Sequence, residues 1–513
     1  MIRWGITANS HDASVAVFRD TELLFAAHSE RSSGKKNDAY LNDTIINQAL
    51  EFGQPDEIHW YENHWLKRLR QLRSGQYKLA FNKPTPSATL EPYGIHQTDW
   101  LSESISDGPL AGSRFVNHKH HNTHAAAGWY TAPFDKGAVI VIDAIGEFET
   151  LTLWQGEGNK LTKVRSQGYP HSIGLWYSAM TQRCGLKPNE EEYILMGMAA
   201  VGDPNRFKDK IFNDFFEPLD YTGKFEVKFK HDLHRGCRWW EPELNTMQDI
   251  ADIAAGTQAV YEMVFEHLLV QANLITGEHN VVLMGGCALN CVANGLAGKH
   301  FDRVWIMPNP GDAGSSVGAV LDEIRVKVPY TTPYLGYEIK GKYPVKAAMK
   351  ELLDGGMVGV ANGKAEFGPR ALGNRSLIAD PRGQHMKDKV NSVKRRQAFR
   401  PFAPMIKLEK VHDYFEMPPG CEASPYMQFV GLCKFPDEYP AITHLDGTSR
   451  VQTVTREDHP ELYELLTVWE EATGCPILLN TSLNIKGEPM VDNEQDAQRW
   501  HEKYGVPVVI KDD

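Results

Sequence analysis

Ile2-Arg3-Trp4-Gly5-Ile6-Thr7 and Ser14-Val15-Ala16-Val17-Phe18-Arg19 are two apolar runs separated by Ala8-Asn9-Ser10-His11-Asp12-Ala13. Their lengths and the polar break predict two strands joined by a tight turn, and Leu23-Leu24-Phe25-Ala26-Ala27 continues the meander. The first strand starts almost at once, without the apolar h-region of a secretory leader. Helical periodicity follows at residues 42–52, then a stretch to about residue 112 with no clear period.

Further along, His120-His121-Asn122-Thr123-His124 precedes Val139-Ile140-Val141-Ile142-Asp143. A helix over residues 118–129 sets His120 and His124, four apart, on one face. Strand 138–143 ends in a carboxylate, at the sheet edge where open α/β folds place ligands. Two imidazoles with carboxylates suit Fe(II), Mn(II) or Zn(II). Taken alone, His120 and His124 also fit ordinary helix-surface positions.

Strand 281–285 runs into Gly286-Cys287-Ala288-Leu289-Asn290, a glycine turn expected to open a helix. Glycine lets backbone approach a ligand closely, and a helix N-terminus favours phosphate. Strand 303–307 leads to a second such turn, Asn309-Pro310-Gly311-Asp312-Ala313-Gly314-Ser315-Ser316, before another helix. Residues 327–343, rich in proline and tyrosine, read as an interdomain linker. Beyond it, helix 345–354, strand 357–361 and strand-like segments near 427–432, 450–454, 476–480 and 506–510 form a second α/β pattern. No internal repeat or low-complexity segment is visible.

A chain of 513 residues exceeds a single core, so two or three domains are expected. With 42% apolar and 23% charged residues it has the composition of a soluble globular enzyme, and no apolar run reaches the length of a membrane span. Seven scattered cysteines without a CxxC pair read as thiols of a reducing compartment, so a cytoplasmic protein is expected. The net charge of −12 opposes broad binding to nucleic acid. Two local basic clusters stand against that balance, Lys67-Arg68-Leu69-Arg70-Gln71-Leu72-Arg73 and Lys394-Arg395-Arg396, the first of which reads as a solvated helix face.

Residues 363–407 concentrate guanidinium groups among glycine and proline: Glu366-Phe367-Gly368-Pro369-Arg370-Ala371-Leu372-Gly373-Asn374-Arg375-Ser376, then Lys394-Arg395-Arg396 and Phe399-Arg400-Pro401-Phe402. Cations interleaved with such rigid residues suit bidentate recognition of phosphate or carboxylate, although structural pairs with Asp or Glu would also explain them. The polar loops His444-Leu445-Asp446-Gly447-Thr448-Ser449-Arg450 and Asn480-Thr481-Ser482-Leu483-Asn484 lie beside strands and can face the same ligand.

Several of these segments, taken together, resemble the O-carbamoyltransferases of the NodU/CmcH/TobZ type. They are Gly5-Ile6-Thr7 with His11-Asp12-Ala13-Ser14, Glu30-Arg31 with Lys36-Asn37-Asp38, His120-His121 with His124-Ala125-Ala126, and Ser172-Ile173-Gly174. Glu192-Tyr193 with Met196-Gly197, Gly285-Gly286-Cys287-Ala288-Leu289-Asn290, Gly311-Asp312-Ala313-Gly314, and residues 366–376, 394–404, 443–453 and 479–484 extend the likeness over almost the whole chain. The resemblance implies an α/β protein with an actin-like (RNase H-type), two-lobed, TsaD-like N-terminal domain over residues 1–335. A smaller YrdC-like α/β domain would follow over residues 336–513. The strand–turn–strand opening agrees, because actin-like folds begin that way and turn their first loop toward phosphates.

The resemblance also implies a two-step reaction. Carbamoyl phosphate and ATP, with Mg, form carbamoyl-adenylate in the second domain, and the carbamoyl group then moves to an acceptor hydroxyl at an iron-containing site in the first. Carried onto this sequence, Arg370, Lys394, Arg400, Arg450 and Ser482 bind carbamoyl phosphate and nucleotide, with Gly285 and Gly286 also assigned to nucleotide. His120, His124, Asp143 and Asp312 hold Fe(II), or Mn or Zn in its place. His11, with Asp12, is the general base for the acceptor hydroxyl. The acceptor is a small molecule, a sugar, or a hydroxymethylated base such as 5-hydroxymethylcytosine in nucleic acid, and the acidic balance leans to a small molecule. No membrane partner is implied, and assembly as a homodimer is left open.

Two segments depart from the family pattern. Ala144 replaces the first glycine of the usual Asp-Gly-x-Gly-Glu, and Met198-Ala199-Ala200-Val201-Gly202 replaces Leu-Ala-Pro-Tyr-Gly. The chain is also short for the family, so the acceptor side is expected to be altered. Competing readings are a threonylcarbamoyl-type tRNA-modifying enzyme, an actin-type kinase and a non-enzymatic nucleotide-binding protein.

Overall fold

Strand β1 (Ile2–Thr7) is buried from Trp4 onward because it takes the centre of a sheet, which is why its apolar run is continuous rather than alternating. A computed structural model describes residues 1–82, 89–93, 110, 112–395, 400 and 402–512. β2 (Ser14–Arg19) and β3 (Glu22–His28) extend the sheet antiparallel on one side of β1. β4 (Glu57–Trp60) and β5 (Arg114–Asn117) extend it parallel on the other, giving the order β3-β2-β1-β4-β5.

A second sheet repeats this plan. β6 (Lys136–Ile142) pairs antiparallel with β7 (Glu149–Glu157), which pairs antiparallel with β8 (Lys160–Gly168). β9 (Asn280–Met284) and β10 (Arg303–Trp305) run parallel to β6, so the order is β8-β7-β6-β9-β10. The two sheets are topological copies, which is the actin-like, two-lobed RNase H-type architecture. The repeat lies in topology alone and leaves no trace in the residues.

The chain divides into two compact units: Met1–Ser29 with Asn37–Tyr330, and Glu30–Lys36 with Thr331–Asp513. In the first, helix His120–Thr131 follows β5 and helix Ser315–Ile324 follows β10, so they occupy equivalent places in the two lobes. Each packs on the sheet of the other lobe and the two pack on one another. Glycine permits the close approach. A Cβ on Gly5 would lie 1.7 Å from Ser316 O, and one on Gly318 would lie 1.9 Å from Thr123 O. Ser14 Oγ adds hydrogen bonds to Ala313 O at 2.7 Å and Ser316 Oγ at 2.9 Å. The β1–β2 turn is thereby held against the turn that opens helix Ser315–Ile324.

Three expectations change. The stretch between residues 52 and 112 is not uniformly irregular, since β4 and helices His64–Arg73 and Tyr77–Asn82 lie in it. Gly286–Leu289 forms a 3-10 turn, followed only by the single helical turn Cys291–Asn294, so no full helix begins at the glycines. The supposed linker is structured at both ends. Lys327 Nζ donates to Trp129 O at 2.6 Å and Phe134 O at 2.8 Å, closing the C-terminal end of the histidine helix, and Tyr334–Ile339 is a strand.

The second unit centres on a six-stranded sheet ordered Gln452–Val454, Ala403–Lys407, Ile477–Ser482, Arg375–Ala379, Met357–Ala361 and Val508–Val509. Val358, Val360, Ile378 and Leu478 pack with helices Val345–Gly355 and Pro460–Thr473. The alternate residues Met357, Leu377, Ala379, Ile477 and Leu479 pack on the opposite face with helices Gln384–Lys394 and Glu494–Tyr504.

Gly318→Val is the sharpest test of the lobe packing. The added side chain would force the helix pair apart, and a loss of about 3 kcal/mol in chemical denaturation is expected. Unchanged stability would contradict the described contact.

Candidate functional site

The equivalent elements of the two lobes converge on one cluster. The turn after β6 supplies Asp143, and the matching turn after β1 supplies His11 and Asp12. The first turn of helix His120–Thr131 supplies His120 and His124, and the turn before helix Ser315–Ile324 supplies Asp312. One ligand atom from each of His120, His124, Asp143 and Asp312 lies within 4.8 Å of all the others, and all four residues are buried.

His120 Nε2 is 3.0 Å from Asp143 Oδ2, 3.4 Å from Asp312 Oδ1 and 3.1 Å from His124 Nε2. His124 Nε2 is also 3.4 Å from Asp312 Oδ1. His11 Nε2 stands 3.7 Å from Asp312 Oδ2, with its Nδ1 3.1 Å from Asp12 Oδ2. His121, between the paired rings in sequence, faces elsewhere, with Nδ1 3.0 Å from Thr152 Oγ1.

Backbone amides fix the carboxylates. Gly286 N–H donates to Asp143 Oδ1 at 3.1 Å, leaving Oδ2 turned to His120. Gly285 takes a positive φ of 89°, and its N–H donates to Pro310 O at 2.9 Å. Both glycines assigned to nucleotide from sequence thus have their amides engaged in shaping the cluster.

Sequence reasoning gave no role to Glu147. It accepts from His120 N at 3.0 Å and Asn63 N at 2.6 Å, so a carboxylate caps the N-terminus of the histidine helix. The Asp143-Ala144-Ile145-Gly146-Glu147 loop held the signal, a carboxylate four residues past Asp143. The Ala144 carbonyl accepts from Ser172 Oγ at 2.6 Å.

Charge dominates the site. Burial opposes the protonation of His120, but Asp312 and Asp143 outweigh it and raise its pKa well above 6.5. Burial also opposes protonation of His11, although 46% of its side chain is exposed. Asp312 and Asp12 outweigh that burial and raise the pKa to about 9. Burial and Asp312 oppose ionisation of Asp143, and the His120 and His124 rings still hold it at about 2. The cluster therefore demands positive charge, which protons or a metal cation can supply. Two imidazole nitrogens and two carboxylates fit a divalent first-row ion. Neither ring's Nδ1 has a hydrogen-bond partner among the described residues, so the protein leaves the tautomers unset, and a cation on Nε2 would fix them.

In the second unit, Lys394 and Ser482 come together. Lys394 Nζ donates to Ser482 O at 2.5 Å, Ser482 Oγ at 3.2 Å and Asn484 Oδ1 at 2.7 Å. Arg370, Arg400 and Arg450 are half-buried, and Arg450 Nε is buried without a partner among the described residues. Arg396, Phe399 and Pro401 lie outside the described residues.

Arg375 turns out to be structural. It is fully buried and bonds the carbonyls of Asn362, Asn374, Asp492 and Tyr337. Arg31 went unassigned and is the more suggestive residue. It is 5% exposed and donates Nη2 to Gly368 O at 3.1 Å, while its Nε and Nη1 are buried without partners among the described residues.

The basic helix also differs from the expected solvated face. Lys67 pairs with Glu62 at 2.7 Å, and the buried Arg70 donates to Glu147 O at 3.2 Å.

The shifted pKa values set a pH dependence. Without metal, the Asp143 contribution to stability is present above its ordinary value of 3.8 and fades as pH falls toward 2. The His120 contribution is present below 6.5 and fades as pH rises through its raised pKa. A metal must displace that proton, so affinity for Zn(II) or Mn(II) should rise roughly tenfold per pH unit between about pH 6.5 and 7.5. Titration calorimetry reads this directly, and a pH-independent affinity would place His120 outside the ligand set.

Comparison with known proteins identifies the family. Residues 111–321 match the carbamoyltransferase N-terminus family, and residues 349–513 match the carbamoyltransferase C-terminus family. The chain is 34% identical to an uncharacterised protein of Synechocystis sp. over 96% of this chain and 93% of that one. It is 34% identical to nodulation protein NolO of Bradyrhizobium diazoefficiens over 74% of this chain and 75% of that one. It is also 31% identical to nodulation protein NolNO of Sinorhizobium fredii over 95% of this chain and 76% of that one. The chain therefore belongs to the carbamoyltransferase family and is a carbamoyltransferase.

Proposed function

We propose that this carbamoyltransferase divides its reaction between two sites. The YrdC-like second unit hydrolyses carbamoyl phosphate with one water to carbamate and phosphate, and joins the carbamate to ATP as carbamoyl-adenylate, releasing pyrophosphate. The TsaD-like first unit moves the carbamoyl group to an acceptor hydroxyl, releasing AMP. The observation that carries this reading is the buried convergence of His120, His124, Asp143 and Asp312 with His11 at its edge.

Those four residues would hold Fe(II), or Mn or Zn. When bound, such an ion supplies Lewis-acid polarisation of a phosphate or carbamoyl oxygen. Glu147 keeps the histidine helix in register, and Gly286 aims Asp143. His11 is the general base toward the acceptor. Asp312 and Asp12 hold it protonated while Asp312 is unbalanced, so it gains a free nitrogen once the Asp312 charge is neutralised. Asp12 orients the ring through Nδ1.

In the second unit, Arg370, Arg400, Arg450 and Arg31 supply charge to the phosphates as ATP enters with Mg. Lys394 fixes the Ser482–Asn484 turn and adds its own positive field. A small hydroxyl compound suits the acceptor role better than nucleic acid, because Lys67 and Arg70 are already engaged inside the first unit. The seven cysteines, scattered without a CxxC pair, suit a reducing compartment such as the cytoplasm, and no helix among the described residues is long and apolar enough to cross a membrane.

Carbamoyl phosphate should stimulate ATP-dependent pyrophosphate release without any acceptor. Arg400→Ala and Arg31→Ala should cut that release by about a hundredfold. His120→Asn and His11→Gln should leave it within about twofold, and His11→Gln should slow transfer to a hydroxyl acceptor by about 10²–10⁴-fold. Release that ignores carbamoyl phosphate, or that fails in the His120 variant, would overturn the division.

A further inference from the structure

A second cluster lies elsewhere in the first unit. His59 is in β4, His118 directly follows β5, and Asp322 and Glu323 are near the end of helix Ser315–Ile324. Three contacts run in line. Asp322 Oδ2 is 2.8 Å from His118 Nδ1, His118 Nε2 is 3.1 Å from His59 Nδ1, and His59 Nε2 is 3.3 Å from Glu57 Oε2. Glu57 is anchored by Arg3 Nε at 2.7 Å and Arg114 Nη1 at 3.4 Å.

Hydrogen bookkeeping decides what belongs between the rings. Each terminal carboxylate accepts an N–H, which puts the hydrogens on His118 Nδ1 and His59 Nε2. Two neutral imidazoles in those tautomers meet lone pair to lone pair, an unfavourable contact inside a buried site. A cation there turns repulsion into ligation. A separation of 3.1 Å is what two nitrogens at about 2.0–2.1 Å from one ion give at an angle of roughly 100°. It equals the His120–His124 Nε2 separation in the first cluster.

The outer nitrogens then form the carboxylate–histidine–metal pattern that orients imidazole ligands. The exposed Glu323 offers a third ligand, with a carboxylate oxygen within 4.8 Å of a ring nitrogen of each histidine. We propose that His59 Nδ1, His118 Nε2 and Glu323 bind a second divalent transition ion of the Zn(II) type, completed by water. The ion would brace β4 and the end of β5 against the helix whose opposite end carries Asp312.

The test loads metal-stripped, full-length chain with Co(II), removes excess by desalting, and counts ions by elemental analysis. Wild type should hold two equivalents. Glu323→Ala, His59→Gln and the His120→Asn/His124→Asn double variant should each hold one. Glu323 is exposed, so its truncation reads the site without threatening the fold. Retention of two ions by both Glu323→Ala and His59→Gln would overturn the proposal. So would a single wild-type ion that disappears with His120 and His124, which would leave an ordinary proton-bridged histidine pair.

Discussion

Two carboxylates, Asp143 and Asp312, are buried beside the same imidazole, and that concentration of negative charge governs the first unit. Isolated buried anions are prohibitively costly, so the cluster exists only with compensating charge close by. The fold meets this need by symmetry. Each lobe contributes one turn after its central strand and one helix start, and close packing at Gly5 and Gly318 brings the two sets together. His120 and His124 from one lobe then face Asp143 and Asp312 from the other, with His11 beside Asp312, and Glu147 and Gly286 hold the set in place. A site built across two lobes can respond to small shifts between them, which suits transfer from a nucleotide-bound donor.

The second unit treats charge differently. Arg375 and Lys394 are consumed by internal acceptors and stiffen the loops around them. Glu366 does the same with backbone amides, accepting from Leu372, Asn374 and Arg375. Arg31 and Arg450 instead keep buried nitrogens without partners among the described residues. Guanidinium groups in that condition are poised for an anionic ligand, whereas the saturated ones are scaffold. The division explains why arginine density alone could not separate binding residues from structural ones.

The fold class and the clustering of His120, His124, Asp143 and Asp312 were legible in sequence because both rest on short-range patterns. The i,i+4 histidines, the strand ending at Asp143 and the Gly-Asp-Ala-Gly turn each carry their own signal, and the likeness to O-carbamoyltransferases tied them together. What escaped depended on distance. Glu147 caps a helix 27 residues upstream, and Arg31 belongs to a unit that otherwise begins at Thr331. Helix Met247–Thr276, with its Thr246–Asp249 capping box, lay in a stretch that drew no attention. The lobe duplication was invisible because topology repeats where residues do not. The basic helix misled because two of its cations, Lys67 and Arg70, are spent on Glu62 and Glu147, neighbours that no periodicity reveals.

The account turns on carbamoyl-adenylate as the species that links the two units. The most direct measurement is rapid-quench mass spectrometry of the His120→Asn/His124→Asn variant supplied with carbamoyl phosphate and ATP labelled at the α-phosphate. The prediction is a labelled adenylate bearing the carbamoyl group, accumulating on the enzyme because transfer is blocked. Label found only in ADP, or in AMP with no carbamoylated intermediate at any time, would contradict the account.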